Sequence, residues 1–562
     1  MITALAVGLR DGLDDAAWDV LRDTGTAHLM AISGLHVGLA AGLGYWLGAS
    51  VWRGIPRLAG QIPAARAGAV AGVVLALVYA ALAGFSVPTR RALVMVAVAM
   101  LAVAAARPAV PSRTLALALA AVLVLEPLAV LSPGFWLSFG AVGVILLGMQ
   151  GRIGVAGSRW WRWGRVHGIA ALGLAPVLLA AFGEVPLLSP LANALAVPWV
   201  SLIVVPLTLA GTAVLVPLPG IGAGLLGAAG AALDLCWRAL EVLAGWGTTL
   251  PAAAPPWAVA AGMGGVLLLL APRGLPGRGV GLVGVAALLL APAPRVPSGA
   301  AEVHVLDVGQ GLAVVARTAT RTLVYDAGPR YGPGFDADRA VVAPFLASRG
   351  VARIDRLVIS HGDADHAGGV RSLLARVPVT EILAGEAAAL RTELVAGPTR
   401  PPVQECRAGQ AWQWDGVRFE MLHPAPESAG SGNDASCVLR IATPGASVLL
   451  PGDIEAAGEA ALVARAAGQL AADLIVAPHH GSTTSSSPAL VAAVRPRHVV
   501  YSAGYRNRFG FPRPEVAARY RAIGARECDD AITTFLAADD SRPLILALNN
   551  ADLHSGVESD PE

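Results

Sequence analysis

The chain contains no lysine; all 41 of its Lys/Arg positions are arginine. Arginine suits bidentate contact with phosphate, but a GC-rich genome gives the same bias, so this absence assigns no partner. A formal net charge of +2 says equally little about partners. Charge of either sign is scarce, at 14% of residues against 55% hydrophobic, with mean hydropathy +0.61. Cysteine is limited to Cys236, Cys406, Cys437 and Cys528, with no CxxC pair and no regular spacing. Neither a disulfide framework nor a thiolate zinc site is expected from that pattern. No cleavable leader is expected in the N-terminal stretch either. The stretch from Met1 to Ala27 carries Arg10, Asp11, Asp14, Asp15 and Asp19, which fits neither a secretory signal nor a transit peptide. The chain must therefore enter a membrane through its own helices.

The scarcity of charge is uneven. Up to about residue 295, Ala, Leu, Val and Gly dominate, and from about Ala301 charged residues return at soluble-protein density. This predicts a polytopic α-helical membrane domain followed by a soluble α/β domain. The expected divisions are an N-terminal segment 1–27, a transmembrane domain 28–295, a soluble domain 300–545 and a tail 546–562. The linker Ala291-Pro-Ala-Pro-Arg-Val-Pro-Ser-Gly299 marks the boundary.

Apolar stretches of spanning length recur at 29–50, 67–84, 92–106, 114–131, 135–150, 168–182, 187–216, 222–248, 256–271 and 279–294. Segment 187–216 is overlong and holds Pro198 and Pro206, so a break or a re-entrant path is expected there. Arginines gather in alternate loops: Arg53, Arg57 and Arg66; Arg107 and Arg113; Arg152, Arg159, Arg162 and Arg165; Arg273 and Arg278. The positive-inside rule places these loops in the cytoplasm and, over about ten crossings, the C-terminal domain on the external side. Polar residues at or near membrane depth are His28, Ser33, His36, Arg90, Arg91 and Asn193. Such groups usually face a pathway or a partner helix; interhelical hydrogen bonding, or snorkelling for the two arginines, is the plainer alternative.

The soluble half is organised around Leu357-Val-Ile-Ser-His-Gly-Asp-Ala-Asp-His-Ala-Gly-Gly369. A short apolar strand delivers His361, Asp363, Asp365 and His366 onto one loop. Imidazole and carboxylate at this density suit Zn, Mn or Fe, with room for two divalent ions. Two ions about 3.5–4 Å apart activate a water and hold both the attacking and leaving oxygens of a phosphodiester. Alternating strands end at Asp307 and Asp326, which can be site residues or turn caps. Helical and strand patterns alternate to the C-terminus, as in a layered α/β domain.

Gly25-Thr-Ala-His-Leu-Met-Ala-Ile-Ser-Gly-Leu-His-Val-Gly38 resembles a signature of the ComEC competence family, inner-membrane channels for DNA uptake. Phe135-Trp-Leu-Ser-Phe-Gly140 and Pro190-Leu-Ala-Asn-Ala-Leu-Ala-Val-Pro198 also resemble that family. Its members usually carry further transmembrane helices and an OB-type β-barrel before the signature. This chain begins almost at the signature, as in a short member, a truncated fragment or a mis-assigned start. The His361–Gly369 run resembles the metallo-β-lactamase superfamily, whose fold is an αββα sandwich, with Asp363 where the superfamily usually has His. A carboxylate there shifts preference towards harder ions such as Mn²⁺.

By the same resemblance, Asp453 in Leu449-Leu-Pro-Gly-Asp453 is the ligand that bridges the metals. His480 or His479 is the late His ligand, one of the pair serving as its hydrogen-bond partner. Asn433 and Asp434 lie where another ligand is usual, and His423 reads as structural or as a supporting contact. The implied metal set is His361, Asp363, Asp365, His366, Asp453 and His480, with Asp363, Asp365 and His366 closest to the chemistry. Tyr501-Ser-Ala-Gly-Tyr-Arg-Asn-Arg-Phe-Gly-Phe-Pro-Arg-Pro514 resembles a family segment that often has His at the positions of Phe511 and Arg513. Arg506, Asn507, Arg508 and Arg513, with the neighbouring aromatics, supply what a single strand needs; a surface loop with a buried aromatic or two is the alternative.

The resemblance implies an inner-membrane channel for single-stranded DNA, with a metal-dependent nuclease that degrades the other strand. It also implies a DNA-receptor protein and a cytoplasmic translocation ATPase as partners, and it leaves a homo-oligomer open. Two alternatives remain at this stage: a DNA channel or binding module with an inactive hydrolase domain, and a membrane-tethered phosphoesterase without transport.

Overall fold

The computed structural model describes the whole chain except residues 9–12, 31, 107–109, 150–158, 248, 252, 273–275, 333–334, 395–400, 426–431, 529–531, 537–544 and 549–562. Arg107, Arg152 and Arg273, and most of the expected tail, lie outside the described residues. The chain divides into two compact units, Met1–Pro292 and Ala293–Glu562.

In the first unit every apolar stretch named above contains a helix, from Gly34–Arg53 to Arg278–Leu290. Among the described residues, five are long and apolar enough to cross a membrane: Ala64–Leu82, Val87–Ala104, Trp163–Phe182, Ser189–Leu215 and Pro219–Ala244. Proline opens many of these helices, at Pro88, Pro111, Pro190, Pro219 and Pro256. It is tolerated there because first-turn N–H groups have no intrahelical acceptor. Small residues let helix axes approach. A Cβ on Gly44 would lie 2.6 Å from Ala71 O, and one on Gly68 would lie 2.8 Å from Tyr45 O. Helices Gly34–Arg53 and Ala64–Leu82 therefore pack backbone to backbone, as glycine spaced four apart allows.

Two expectations fail in this unit. Segment 187–216 does not break; Ser189–Leu215 is one 27-residue helix. Its ladder widens into a π-helical turn at Val200–Val204, where Val205 N–H donates to Val200 O. The carbonyl of Ala194, which Pro198 cannot serve, accepts Trp163 Nε1–H at 3.2 Å. Nor is the N-terminal segment separate. Leu5, Leu13, Ala17 and Leu21 are buried in one cluster with Leu29, Met30, Ala192, Val204 and Leu240.

In the second unit the described residues form two facing sheets. The first has eight strands in the order Val403–Glu405, Ile382–Ala384, Arg356–Ile359, Thr322–Tyr325, Val314–Arg317, Ala301–Val305, Ile532–Leu536 and Ile545–Leu548. The second has seven, in the order Ala411–Trp414, Val417–His423, Val438–Ala442, Ser447–Leu450, Leu474–Val476, His498–Val500 and Arg526–Cys528. Their inner faces share one core that includes Val303, Leu323, Tyr325, Phe419, Leu439 and Val448. A second cluster packs helix residues such as Leu346, Leu373 and Leu390 on the outside of the first sheet. A third packs Leu462, Leu490 and Tyr520 on the outside of the second. This is an αββα sandwich.

The cysteines depart from expectation as well. Cys406 and Cys437 are joined by a disulfide, with Cα atoms 6.0 Å apart and a sequence separation of 31. Cys406 follows the edge strand Val403–Glu405 of one sheet, and Cys437 precedes Val438–Ala442 of the other, so the bond staples the two layers. Sequence spacing could not disclose it, because the pair is brought together only by sheet-on-sheet packing.

Candidate metal centre

Parallel pairing brings the site residues to one end of the sandwich. Tyr325 lies opposite Val358, so Asp326 and Ser360 leave their strands side by side. In the other sheet Ser447–Leu450, Leu474–Val476 and His498–Val500 are mutually parallel. Asp453, the His479–His480 pair and the Tyr501 segment therefore follow from the same ends.

Asp365, His366, Asp453 and His480 converge, each offering a ligand atom within 4.8 Å of the others. His366 Nε2 is 3.1 Å from Asp453 Oδ1, and His480 Nε2 is 3.3 Å from Asp365 Oδ2 and 3.5 Å from Asp453 Oδ2. His361 stands beside them, its ring centroid 4.4 Å from that of His366. Asp363 is the most open member, 59% exposed at its side chain and 3.6 Å from His361 Nε2. His479 is more peripheral: its Nε2 is 3.9 Å from Asp453 Oδ2, while Nδ1 meets Glu455 at 3.2 Å and Thr484 at 3.0 Å.

The electrostatics match this crowding. Burial disfavours ionisation of Asp453, but His366 and His480 outweigh it and hold the carboxyl well below the usual range. Burial likewise opposes the charged form of His366, yet Asp453 and Asp326 keep its imidazole protonated well above the ordinary His range. His361 is pushed down, first by burial and then by the charge of His366. Asp365 is lowered because its contacts with His480 and His366 overcome its burial.

The residues fit a metal. Nε2 of His361 is buried and lacks a hydrogen-bond partner, a state that is costly unless a ligand is meant to fill it, and the buried Nε2 of His366 faces the Asp453 carboxylate at 3.1 Å. The opposite nitrogens are fixed: His361 Nδ1 lies 3.0 Å from Ser360 Oγ, and His366 Nδ1 lies 2.7 Å from Asp326 Oδ2. Backbone strain collects at the same place. Asp326, His479 and His480 all have positive φ, of 59°, 51° and 56°, an arrangement that persists only where its surroundings impose it.

Among the other expected site residues, Asp326 supports the site by accepting from Ser360 N–H, Ser360 O–H and the His366 ring. Asp307 accepts from Gly309 N–H at 3.0 Å, within its turn, and is not in the convergent group. His423 faces the carbonyl of Asp434 at 3.0 Å. Asp434 accepts from the N–H groups of Glu455 and Gly458, and Asn433 donates to Glu455, the residue that steadies His479. These residues shape the site from outside.

Residues that sequence reasoning missed include Ser360, Ser436 and Glu386. Ser436 Oγ accepts Asp453 N–H at 3.1 Å. Glu386 accepts from Gly362 N–H at 2.9 Å and Gly432 N–H at 3.3 Å, tying the ligand loop down from another strand end. Ser360 alone carried a local signal, its place directly before His361.

The 501–514 segment flanks the site. The Phe511 ring is 6.1 Å from that of His479 and stacks on Phe509 at 5.5 Å. Arg506, Arg508 and Arg513 each lie over their neighbouring ring, of Tyr505, Phe509 and Phe511. Tyr505 is 89% exposed. The Asn507 amide is occupied within the loop, donating to Gly504 O and Phe511 O and accepting Phe511 N–H. It thus holds the loop's shape while the arginines and aromatics face outward.

The polar residues of the first unit spread over several contacts. Ser33 caps helix Gly34–Arg53, and its N–H meets His36 Nδ1 at 3.3 Å. His36 is buried with Nε2 unpartnered. His28 is exposed. Asn193 is buried and bridges Ser189 and Gly25 O. Arg90 pairs with Glu126 at 3.3 Å, whereas Arg91 is buried, which excludes snorkelling for it.

A buried His/Asp cluster at the strand ends of an αββα sandwich defines a domain of the metallo-β-lactamase type, and the Metallo-beta-lactamase superfamily model matches residues 306–505. The Competence protein model matches residues 5–276. Competence protein ComA of Neisseria gonorrhoeae is 39% identical over 94% of this chain and 72% of its own length. Recombination protein 2 of Haemophilus influenzae is 31% identical over 92% of this chain and 69% of its own. Among solved structures, the metallo-β-lactamase fold protein YhfI from Bacillus subtilis covers 42% of this chain and 98% of its own, at 10% identity and a TM-score of 0.29. The chain belongs to the ComA/ComEC family of competence proteins, membrane proteins with a C-terminal metallo-β-lactamase domain.

Proposed function

We propose that this chain is an inner-membrane conduit for single-stranded DNA, and that its C-terminal domain is a phosphodiesterase that degrades the strand not taken up. The observation that carries the reading is the convergence of Asp365, His366, Asp453 and His480 beside the buried, unpartnered Nε2 of His361, in a chain of the competence family. Two divalent ions, Zn or Mn, held by His361, Asp363, Asp365, His366, Asp453 and His480, supply an activated water and Lewis-acid stabilisation of the phosphodiester when bound. Asp326 and Ser360 fix the ring orientation of His366 and His361. Asp363, the most open carboxylate of the loop, orients the water or the departing group at the mouth. Arg506, Arg508 and Arg513 hold phosphates, while Tyr505 and Phe509 offer stacking faces to bases. In the membrane unit we assign His28, Ser33, His36 and Asn193 to the DNA path, whereas Arg91, expected among them from the sequence, lines a groove of its own with Glu126.

The external side for the hydrolase domain is favoured by the arginine-bearing loops and by the buried Cys406–Cys437 bond, since disulfides persist in oxidising compartments. A DNA-receptor protein and a cytoplasmic translocation ATPase are the partners this role requires. A second reading, a channel whose hydrolase domain binds DNA without cutting it, is favoured by Phe511, whose phenyl ring near His479 cannot exchange a proton.

The test is a nuclease assay of the purified full chain with Mn²⁺ or Zn²⁺ against Asp453→Asn. Metal-dependent cleavage that the variant loses by a factor of at least about a hundred supports the reading, in line with loss of a group that holds the catalytic ion. DNA binding without cleavage in the parent selects the second reading.

A further inference from the structure

Arg91 lies in the first turns of helix Val87–Ala104 and is only 4% exposed. Its Nε and Nη1 atoms are buried without a hydrogen-bond partner. A buried guanidinium left in this state is costly, so the position calls for an anion. Space for one is present. Arg91 lines a cavity of about 300 Å³ with Arg90, Val94, Val122, Leu125 and Glu126, a volume at the lower end of small-molecule sites. On its other side the guanidinium packs against Gly134, where a Cβ would sit 2.9 Å from Arg91 Nη2. Arg90 is paired with Glu126 at 3.3 Å, and Glu126, shared between the two arginines across the groove, makes no hydrogen bond to Arg91 Nε or Nη1.

The rest of the lining narrows the ligand class. Val94, Val122 and Leu125 form an apolar floor, and Leu125 is 68% exposed on the outer surface of its helix. Arg91 follows the start of one apolar helix and Glu126 caps the end of another, Pro111–Leu125, so charge and apolar floor meet where the helices end. Among the described residues no aromatic ring lines the groove to stack on a base. We propose that this groove is a phospholipid site: Arg91 takes the phosphate, and the acyl chains lie along Val94, Val122 and Leu125.

The test uses the full chain, purified in detergent, stripped of lipid and followed by native mass spectrometry. Phosphatidylglycerol should bind, and diacylglycerol, which has the same tails without phosphate, should bind at least about tenfold more weakly. Arg91→Gln should weaken phosphatidylglycerol by about tenfold or more, the scale of a charge-assisted hydrogen bond. Arg91→Lys should recover part of that loss. Leu125→Trp fills the groove from its exposed side and should also displace the lipid, so the outcome does not hang on the folding of Arg91→Gln. Equal binding of the two lipids, or undiminished binding by Arg91→Gln or Leu125→Trp, overturns the proposal. Displacement of the lipid by a single-stranded oligonucleotide overturns it in favour of a nucleic-acid phosphate.

Discussion

Asp326 Oδ2 lies 2.7 Å from His366 Nδ1, with both side chains fully buried, although 40 residues separate them in sequence. The contact fixes which nitrogen of His366 faces the site and ties the end of strand Thr322–Tyr325 to the short helix Ala364–Ala367 that follows its parallel neighbour Arg356–Ile359. Asp326 also accepts the N–H and O–H of Ser360, so one carboxylate organises three donors.

Asp326→Asn removes the charge and leaves one acceptor for those donors. Metal affinity is expected to fall about 10- to 100-fold, measured by chelator competition, with the far-ultraviolet circular dichroism unchanged. An unaltered affinity would show that Asp326 only braces the strand.

Metal uptake should release a proton from His366. The metal-free imidazole keeps its proton well above the ordinary His range because Asp453 and Asp326 outweigh its burial. A ligand nitrogen must be neutral, so at pH 7 the ion displaces that proton. Affinity should then rise with pH by up to about one decade per unit until the raised pKa is passed. Calorimetry at one pH in buffers of different ionisation enthalpy reads the proton count directly.

Cys406→Ser should destabilise the C-terminal unit by about 4 kcal/mol, the scale expected for closing a loop with a sequence separation of 31. Chemical unfolding of the oxidised and reduced parent gives the same comparison. Matching midpoints for parent and variant would mean the two thiols are not joined.

Gly48→Leu is expected to loosen the membrane unit. A Cβ at Gly48 would sit only 2.4 Å from the Ala71 methyl, and overpacking of this kind costs about 1–3 kcal/mol. Thermal aggregation in detergent should begin at lower temperature, whereas substitution at Gly42, where a Cβ meets nothing within 4 Å, should have little effect.

Phe511→His places a titratable ring beside His479, where the family segment often has one. If the parent cleaves DNA, the variant should turn over about a hundredfold faster, the low end for general acid–base assistance, without a change in stability. Steady-state cleavage at several pH values reads this, and a flat profile would exclude proton transfer at this position.

Much of this protein was legible in the chain itself. Spanning helices announce themselves by unbroken apolar length, and the His361–His366 loop by ligand density after a short strand, because both signals are local. Asp453 and His480 were reachable only through family resemblance, since Pro-Gly-Asp and a His pair are ordinary in isolation. Asn507 looked like a DNA contact from its place among arginines, yet its amide closes the loop around Phe511.

What the sequence by itself determined was the two-part character of the molecule and the residue types of its candidate metal centre, through hydropathy and spacing along the chain. Only the tertiary structure decided which partners those residues meet: Asp326 with His366, Glu386 with Gly362, Cys406 with Cys437, and Trp163 with the carbonyl left free by Pro198. Such contacts depend on strand register and on the packing of layers and helices. These bring together side chains far apart in sequence that share no local pattern.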